Sequence, residues 1–420
     1  MSKRLGRNFY HLLIAVSFST FGDGLTLLAM PWLASTITSN TFSVSLVSAS
    51  MTLPWLLFSL YIGALIDYYP KKKLMIVAAI IRIIVLIVLS VSILFKIISI
   101  PLLILAAFLI GITKVVFDST AQTLVPSIVS KDILEKANGY IMTSRLTMSD
   151  VVGRSIGGIL ISFGIFIPFA LDIISLLATI PFLFLLKTTA SLKNHALNKK
   201  NKLDILEGVK FVWRNQLLLT LALMGIGITL MFTSTLAIQV FYVKEILKLD
   251  SSGFGLLIAV GTIGSIIGSQ SISLLKNKFG FNATILTSLL MMGFTLGSVG
   301  LTSNPFIVGI LYFIASIFIA TFNICNLSLR QRIIPDNKLG RVGGVFQLLS
   351  LGMSPLGMLL GGGIVNLAEK YVSRDIALRI PNISLGIVYS VLFVVLFIAL
   401  KKFNKELSMN NLRNKQAEPN

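Results

Sequence analysis

Eight ionisable residues stand where charge is costly. Asp23, Arg82, Lys114, Asp118, Arg145, Asp150, Arg154 and Asp172 each fall inside an apolar run long enough to cross a bilayer. A charge at the centre of such a helix costs about 2.5–3.5 kcal/mol on insertion scales unless it is paired or wetted. Four acids balance four bases, so mutual pairing is the first explanation and a shared cavity the second. All eight lie in the first half of the chain. The later apolar runs carry uncharged polar groups in their interiors, among them Gln239, Gln270, Asn323, Asn326 and Gln347.

Spacing assigns some partners. Lys114 and Asp118 are four apart, as are Asp150 and Arg154, so each pair shares one helix face. Arg145 lies one to two turns from Asp150 and is expected to reach Asp150, Asp172 or anionic headgroups. Asp23 is flanked by Gly22 and Gly24 and has no basic partner on its own run. A carboxylate in that position is a candidate proton carrier, half of a structural ion pair, or a substrate contact. No nucleophile, base and orienting group recur at usable spacing, so an enzyme is not expected. His11 and His195 have no partners at metal-ligand spacing, Cys325 is the only cysteine, and no Gly-x-x-x-x-Gly-Lys-Ser/Thr loop is present. Neither metal, cofactor nor nucleotide hydrolysis is implied.

These residues must be positioned by membrane-spanning helices. Of 420 residues, 55% are hydrophobic and 12% charged, and the mean hydropathy is +0.90. Twelve apolar runs of about 20 residues or more, each able to cross a ~30 Å hydrocarbon core, cover 9–36, 43–66, 74–95, 101–125, 138–161, 164–187, 216–242, 253–275, 282–302, 305–329, 342–366 and 380–400. The first follows Lys3, Arg4 and Arg7. Its length and the lack of a small-residue cleavage site make it a retained helix rather than a signal peptide. The segments between runs alternate in charge. Of 36 Lys and Arg, 26 fall in the segments that share a side with the N-terminus, six in the opposite segments and four in the runs. The positive-inside rule then puts both termini in the cytoplasm of a multi-pass cell-membrane protein. The net charge of +20 belongs to short loops facing a lipid surface, which excludes nucleic acid as the expected partner.

The longest polar connection contains "NHALNKKNK" and divides the runs six and six. The expected organisation is a six-helix bundle over 1–187, a cytoplasmic linker over 188–214, a second bundle over 215–402 and a tail over 403–420. The halves also echo each other. "QTLVP" at 122–126 matches "QRIIP" at 331–335, and Leu134, Gly139, Met148, Ser149, Gly157, Gly158 and Ile159 match Leu339, Gly344, Met353, Ser354, Gly362, Gly363 and Ile364. Repeated halves around a midplane site are a common transporter design.

With these features in place, the chain resembles the major facilitator superfamily over essentially its whole length. "GALIDYYPKKK" is similar to the superfamily signature Gly-x-Leu-x-Asp-Arg-x-Gly-Arg-Lys. Gly63, Leu65, Asp67, Lys71 and Lys72 are in register, with Tyr68 and Pro70 as departures. "GRSIGG" reproduces the fifth-span antiporter signature Gly-Pro-x-x-Gly-Gly as Gly153, Gly157 and Gly158, with Arg154 in the proline position. "FGDGLTLLAMPWLA" and "LDILEGVKFVWRN" look like the macrolide-efflux and siderophore-exporter branch. The fourth-span arginine of the superfamily is missing, since Phe108 holds its place before Gly111.

The resemblance implies an all-α integral membrane protein, with twelve helices in two pseudo-symmetric bundles. It implies a secondary exporter of hydrophobic or amphipathic small molecules, macrolide-like or siderophore-like, coupled to protons by alternating access. In that scheme Asp23, Lys114 and Asp118 line the cavity, with Asn323, Asn326, Phe232, Phe241 and Phe322 opposite. Gly63, Leu65, Asp67, Lys71 and Lys72 form a cytoplasmic latch. Arg145, Asp150, Gly153, Arg154, Gly157 and Gly158 belong to the framework of span five, which is expected to pack on Gly261, Gly264 and Gly268 of span eight. The partners implied are a small-molecule substrate, protons and the lipid bilayer, around a monomer. The alternatives are a lipid or nutrient carrier of the same fold, or a non-transporting receptor or assembly partner.

Overall fold

A computed structural model describes residues 5–130, 133–187, 200–335 and 338–417. Helices dominate these residues, and twelve are long and apolar enough to cross a membrane. Spans one to six are Arg7–Ile37, Thr41–Ser59 (within a helix that runs to Tyr68), Lys71–Leu94, Ile100–Ile128, Lys136–Phe163 and Ile167–Leu185. Spans seven to twelve are Gln216–Ile246, Ser251–Ile272, Phe281–Val299, Pro305–Gln331, Val342–Ala368 and Arg374–Lys402. All twelve coincide with the runs read from hydropathy. The helix is forced by the solvent, since a bilayer offers no hydrogen-bond partner and every backbone group must be satisfied within its own segment.

The ends of the spans carry local stop signals. Asn40 accepts from the Ser43 N–H at 3.0 Å and Asn304 from the Phe306 N–H at 2.9 Å, each capping the helix that follows. Pro31, Pro54, Pro126, Pro181, Pro355 and Pro381 sit inside helices, as packing in a helix bundle permits. A further amphipathic helix, Lys200–Arg214, precedes span seven. Span five is not a regular helix. Leu134–Arg145 is α-helical, Leu146–Gly153 is π-helical, and Arg154–Phe163 is α-helical again.

The described residues form two compact units. One comprises 5–187 with Thr233–Thr262 and Ser354–Leu378, so it includes segments of spans seven, eight, eleven and twelve. Within it, span one packs against spans two, four, five and six, span two against span four, and span three against spans four and six. Phe9, Leu12, Val16, Met75, Phe117, Leu124 and Leu183 are buried in one apolar core of this unit. The other unit comprises 200–232, Ile263–Met353 and 379–417. Its core gathers Leu218, Leu221, Ile285, Leu289, Phe322, Cys325, Val342, Leu385 and Tyr389.

Candidate functional site

Span one supplies Asp23, and three other spans converge on it. Arg82 of span three donates through Nη1 to one carboxylate oxygen of Asp23, and Lys114 of span four donates through Nζ to the other. Arg82 reaches in the opposite direction with Nη2, 2.6 Å from Oδ2 of Asp172 in span six. Thr26, one turn after Asp23, donates its hydroxyl to the same Asp172 oxygen at 2.5 Å. The chain continues through Lys114, whose ammonium lies 3.3 Å from Asp118, and ends on Arg145, 3.1 Å from the other Asp118 oxygen. Three carboxylates and three cations thus alternate across spans one, three, four, five and six. The order is Asp172, Arg82, Asp23, Lys114, Asp118, Arg145.

Burial along this chain is uneven. Asp172 is fully buried, and Asp23, Arg82 and Asp118 are 3%, 3% and 5% exposed. The Lys114 and Arg145 side chains retain 25% and 18% of their surface. Two cavities border the cluster. One is lined by Ser19, Asp23, Arg82, Thr113, Lys114, Phe117 and Asp118. The second sets Asp23, Arg82 and Lys114 opposite Leu27, Met51, Trp55 and Ile110. Charge and an apolar, aromatic wall therefore share one concave surface, the usual composition of a small-molecule site.

Sequence spacing found part of this. The Lys114–Asp118 pair forms, and Asp23 takes a cation from span four. Arg145 takes neither Asp150 nor Asp172 as its ion-pair partner. It pairs with Asp118 of span four, 3.1 Å away, and its Nη2 also lies 3.4 Å from the Asp118 carbonyl oxygen. Arg82 and Asp172 were visible as costly residues, but their place at the hub was not, since cross-helix pairing leaves no periodic trace in a sequence. Thr26 carried no signal beyond its position one turn from Asp23.

Asp150 and Arg154 lie 3.4 Å apart on span five, 45% and 33% exposed as side chains, and form a separate pair. The glycines of that span split between two neighbours. A Cβ on Gly153 would lie 2.7 Å from the Phe21 carbonyl oxygen, and one on Gly157 would lie 3.4 Å from the Leu25 Cα, both on span one. A Cβ on Gly158 would lie 2.5 Å from the Ser251 carbonyl oxygen and 2.6 Å from the Gly255 Cα on span eight. The contact with span eight is therefore at Gly255. Gly264 and Gly268 instead face Phe313 and Ile317 of span ten, which corrects the expected small-residue seam. The distortion that proline gives the antiporter signature is present without it, as the π-helical stretch that ends one residue before Arg154.

Around the signature loop, Lys71 donates to the Thr123 carbonyl at 2.7 Å, and Lys72 donates to the Phe184 and Leu186 carbonyls at 2.6 and 3.2 Å. Lys72 thus sits at the final turn of span six, where carbonyls lack partners and the helix dipole favours a cation, and Lys71 lies near the same end of span four. Gly63 has open space around it and Leu65 is exposed. The Asp67 side chain is outside the described residues. In the second compact unit, Asn323 is exposed and Asn326 has a buried, unbonded Oδ1. Phe322 is buried in the apolar core and Phe232 packs against it, so Phe322 serves packing rather than a cavity wall. Phe241 is also buried, beneath the Arg374 guanidinium at 5.1 Å.

One further polar cluster carried no sequence signal. Arg374 binds both Glu245 oxygens at 2.6 and 2.8 Å, Glu369 at 2.6 Å and the Ser39 carbonyl at 2.8 Å. Beside it, Lys244 donates to Ser35 at 2.6 Å and lies 4.3 Å from the Trp32 ring centroid.

Twelve spans, a charge-lined cavity within the first six and the signature loop define a membrane transporter of the major facilitator type. Residues 5–419 match the model of the transmembrane secretion effectors, a family of that superfamily, and the chain belongs to it. It is 24% identical over 393 residues to the multidrug efflux pump Tap of Mycolicibacterium fortuitum, covering 90% of this chain and 93% of that one. It is 24% identical over 405 residues to Tap of Mycobacterium tuberculosis, covering 90% and 91%. Among solved structures, the nucleoside transporter NupG superposes with a TM-score of 0.74 at 13% identity, over 94% of this chain and 100% of that one. A bacterial homologue of the iron transporter ferroportin, inward-facing, gives 0.72 at 14% identity over 94% and 99%. These structural likenesses carry the fold. The family and its efflux relatives identify a transporter, not an enzyme.

Proposed function

We propose that this chain is a proton-coupled exporter of hydrophobic or amphipathic small molecules, working as a monomer in the cytoplasmic membrane with both termini inside. One observation carries the reading. A single cavity sets the ionised chain Arg82–Asp23–Lys114 against the apolar wall of Leu27, Met51, Trp55 and Ile110. The wall suits the body of an amphipathic molecule, and the ionised chain has groups that can exchange a proton for a substrate contact. Curated relatives that are multidrug efflux pumps support the same reading. The halves 1–187 and 215–402, joined through 188–214, would rock about this cavity. Asp67 with its neighbouring lysines would latch the cytoplasmic side.

Everted vesicles with an acid interior test the proposal. A macrolide, a cationic dye and a catecholate siderophore are added in turn, and gradient discharge is recorded. Discharge by one class, lost in Asp23→Asn, is the expected result. No discharge by any of them, with folded protein in the membrane, overturns proton-coupled export and favours facilitated or lipid movement.

A further inference from the structure

The three clustered carboxylates are not equivalent. Asp23 has a cation on each oxygen, Arg82 on one and Lys114 on the other. Asp118 likewise has Lys114 on Oδ2 and Arg145 on Oδ1. Asp172 is different, because both of its donors, Arg82 Nη2 and the Thr26 hydroxyl, converge on Oδ2. Its Oδ1 is buried and has no hydrogen-bond partner, in a residue that is 0% exposed. That oxygen rests against Gly22 of span one, and a Cβ at Gly22 would collide with it and with the Ser175 hydroxyl. An ionised carboxylate oxygen sealed away from any donor is costly, and a proton on it removes the charged part of that cost.

We infer that Asp172, rather than Asp23, is the proton-carrying carboxylate of this transporter. The inference rests on the proton-coupled reading above and deepens it. The step is simple: a hydronium ion gives its proton to Oδ1, an O–H bond forms there, water is released and the carboxylate loses its charge. The surrounding charges are Arg82 from span three and Asp23 from span one, with Lys114, Asp118 and Arg145 beyond them. Asp150 and Arg154 of span five are occupied with each other. With all six members ionised, the cluster of three acids and three bases is neutral, so one proton leaves it at +1. Arg82 then has Asp23 as its only ionised partner and draws on the carboxylate that also holds Lys114. Lys114 is the cation with the most exposed surface in the cluster, and it lines both cavities. A proton taken up in a sealed seat thereby changes the charge offered to a substrate two links away. The cavities reach Arg82 and Asp23 but stop short of Asp172. Proton exchange therefore requires spans one, three and six to part, which ties protonation to conformation.

The experiment is infrared difference spectroscopy of the purified full chain in lipid nanodiscs, acid minus neutral. The wild type is expected to gain one carboxylic C=O band. Asp172→Asn abolishes it, Asp172→Glu moves its frequency, and Asp23→Glu leaves its frequency unchanged. The Asp172→Glu variant keeps a carboxylate and serves if the Asn variant does not fold. A band unmoved in Asp172→Glu, a band moved in Asp23→Glu, or no band in the wild type overturns the inference. The same variants in everted vesicles separate the two readings. Drug-driven discharge that survives Asp172→Asn sinks the proton seat and leaves coupling standing. A band assigned to Asp172 with no discharge by any drug keeps the seat and sinks the coupling.

Discussion

The two halves of the sequence fill their interiors with different chemistry. Spans one, three, four, five and six meet around Asp23, Arg82, Lys114, Asp118, Arg145 and Asp172. Spans seven, nine, ten, eleven and twelve meet around Leu218, Ile285, Cys325, Val342 and Tyr389. A polar contact there is the Tyr389 hydroxyl donating to the Ile228 carbonyl at 3.0 Å. Packed apolar side chains hold one good arrangement and resist displacement. Alternating buried charges depend on one another, and removing one member strands the rest. The interior of the first half is thus sensitive to charge and that of the second to volume. Both halves share the echoed motifs, so the contrast lies in side chains laid on a repeated frame.

Substitutions can break that contrast. Arg82→Ala is expected to have the largest effect, because it leaves Asp23 and Asp172 facing each other without their shared cation. Loss of one partner from a buried pair costs about 3–5 kcal/mol, which a fluorescence-detected thermal unfolding curve would read as a large fall in midpoint. Combining Arg82→Met with Asp23→Asn and Asp172→Asn should recover part of that fall, since no buried carboxylates are left facing each other, while Lys114 keeps Asp118 as its acid partner. A triple variant as unstable as Arg82→Ala would mean that the cluster is structural support like the second half.

The second half should respond to volume instead of charge. A Cβ at Gly293 would lie 2.5 Å from the Tyr389 Cβ, so span nine meets span twelve there without room for a side chain. Gly293→Val should cost about 1–3 kcal/mol through overpacking, measured in the same assay, with proton discharge per folded molecule unchanged. Smallest of all should be Asp150→Asn. That pair is long, at 3.4 Å, and more exposed than any pair in the cluster. Its loss should cost under about 1 kcal/mol. A greater loss would place Asp150 with the central cluster after all.

Hydropathy alone located all twelve spans, because the bilayer demands continuous apolar helix and leaves the chain few other solutions. Intrahelical pairs were legible for the same reason of periodicity. Lys114 with Asp118 and Asp150 with Arg154 follow from 3.6 residues per turn. The partner of Arg145 was not legible, since Asp118 lies on another helix and cross-helix pairing leaves no periodic trace. The glycines of "GRSIGG" announced close packing without saying against what. Gly153 and Gly157 turned toward span one, and only Gly158 toward span eight.

The sequence by itself determined that this chain crosses the membrane twelve times, that its interior charges are balanced and that they lie in one half. These are properties of composition and order along a helix. Only the tertiary structure decided that Arg82 stands between Asp23 and Asp172, that Lys114 closes the other side of Asp23, and that Asp172 keeps one oxygen without a donor. Those facts depend on how far each helix is rotated and slid against its neighbours. Rotation and slide are set by side-chain packing across many residues, which no local stretch of sequence contains.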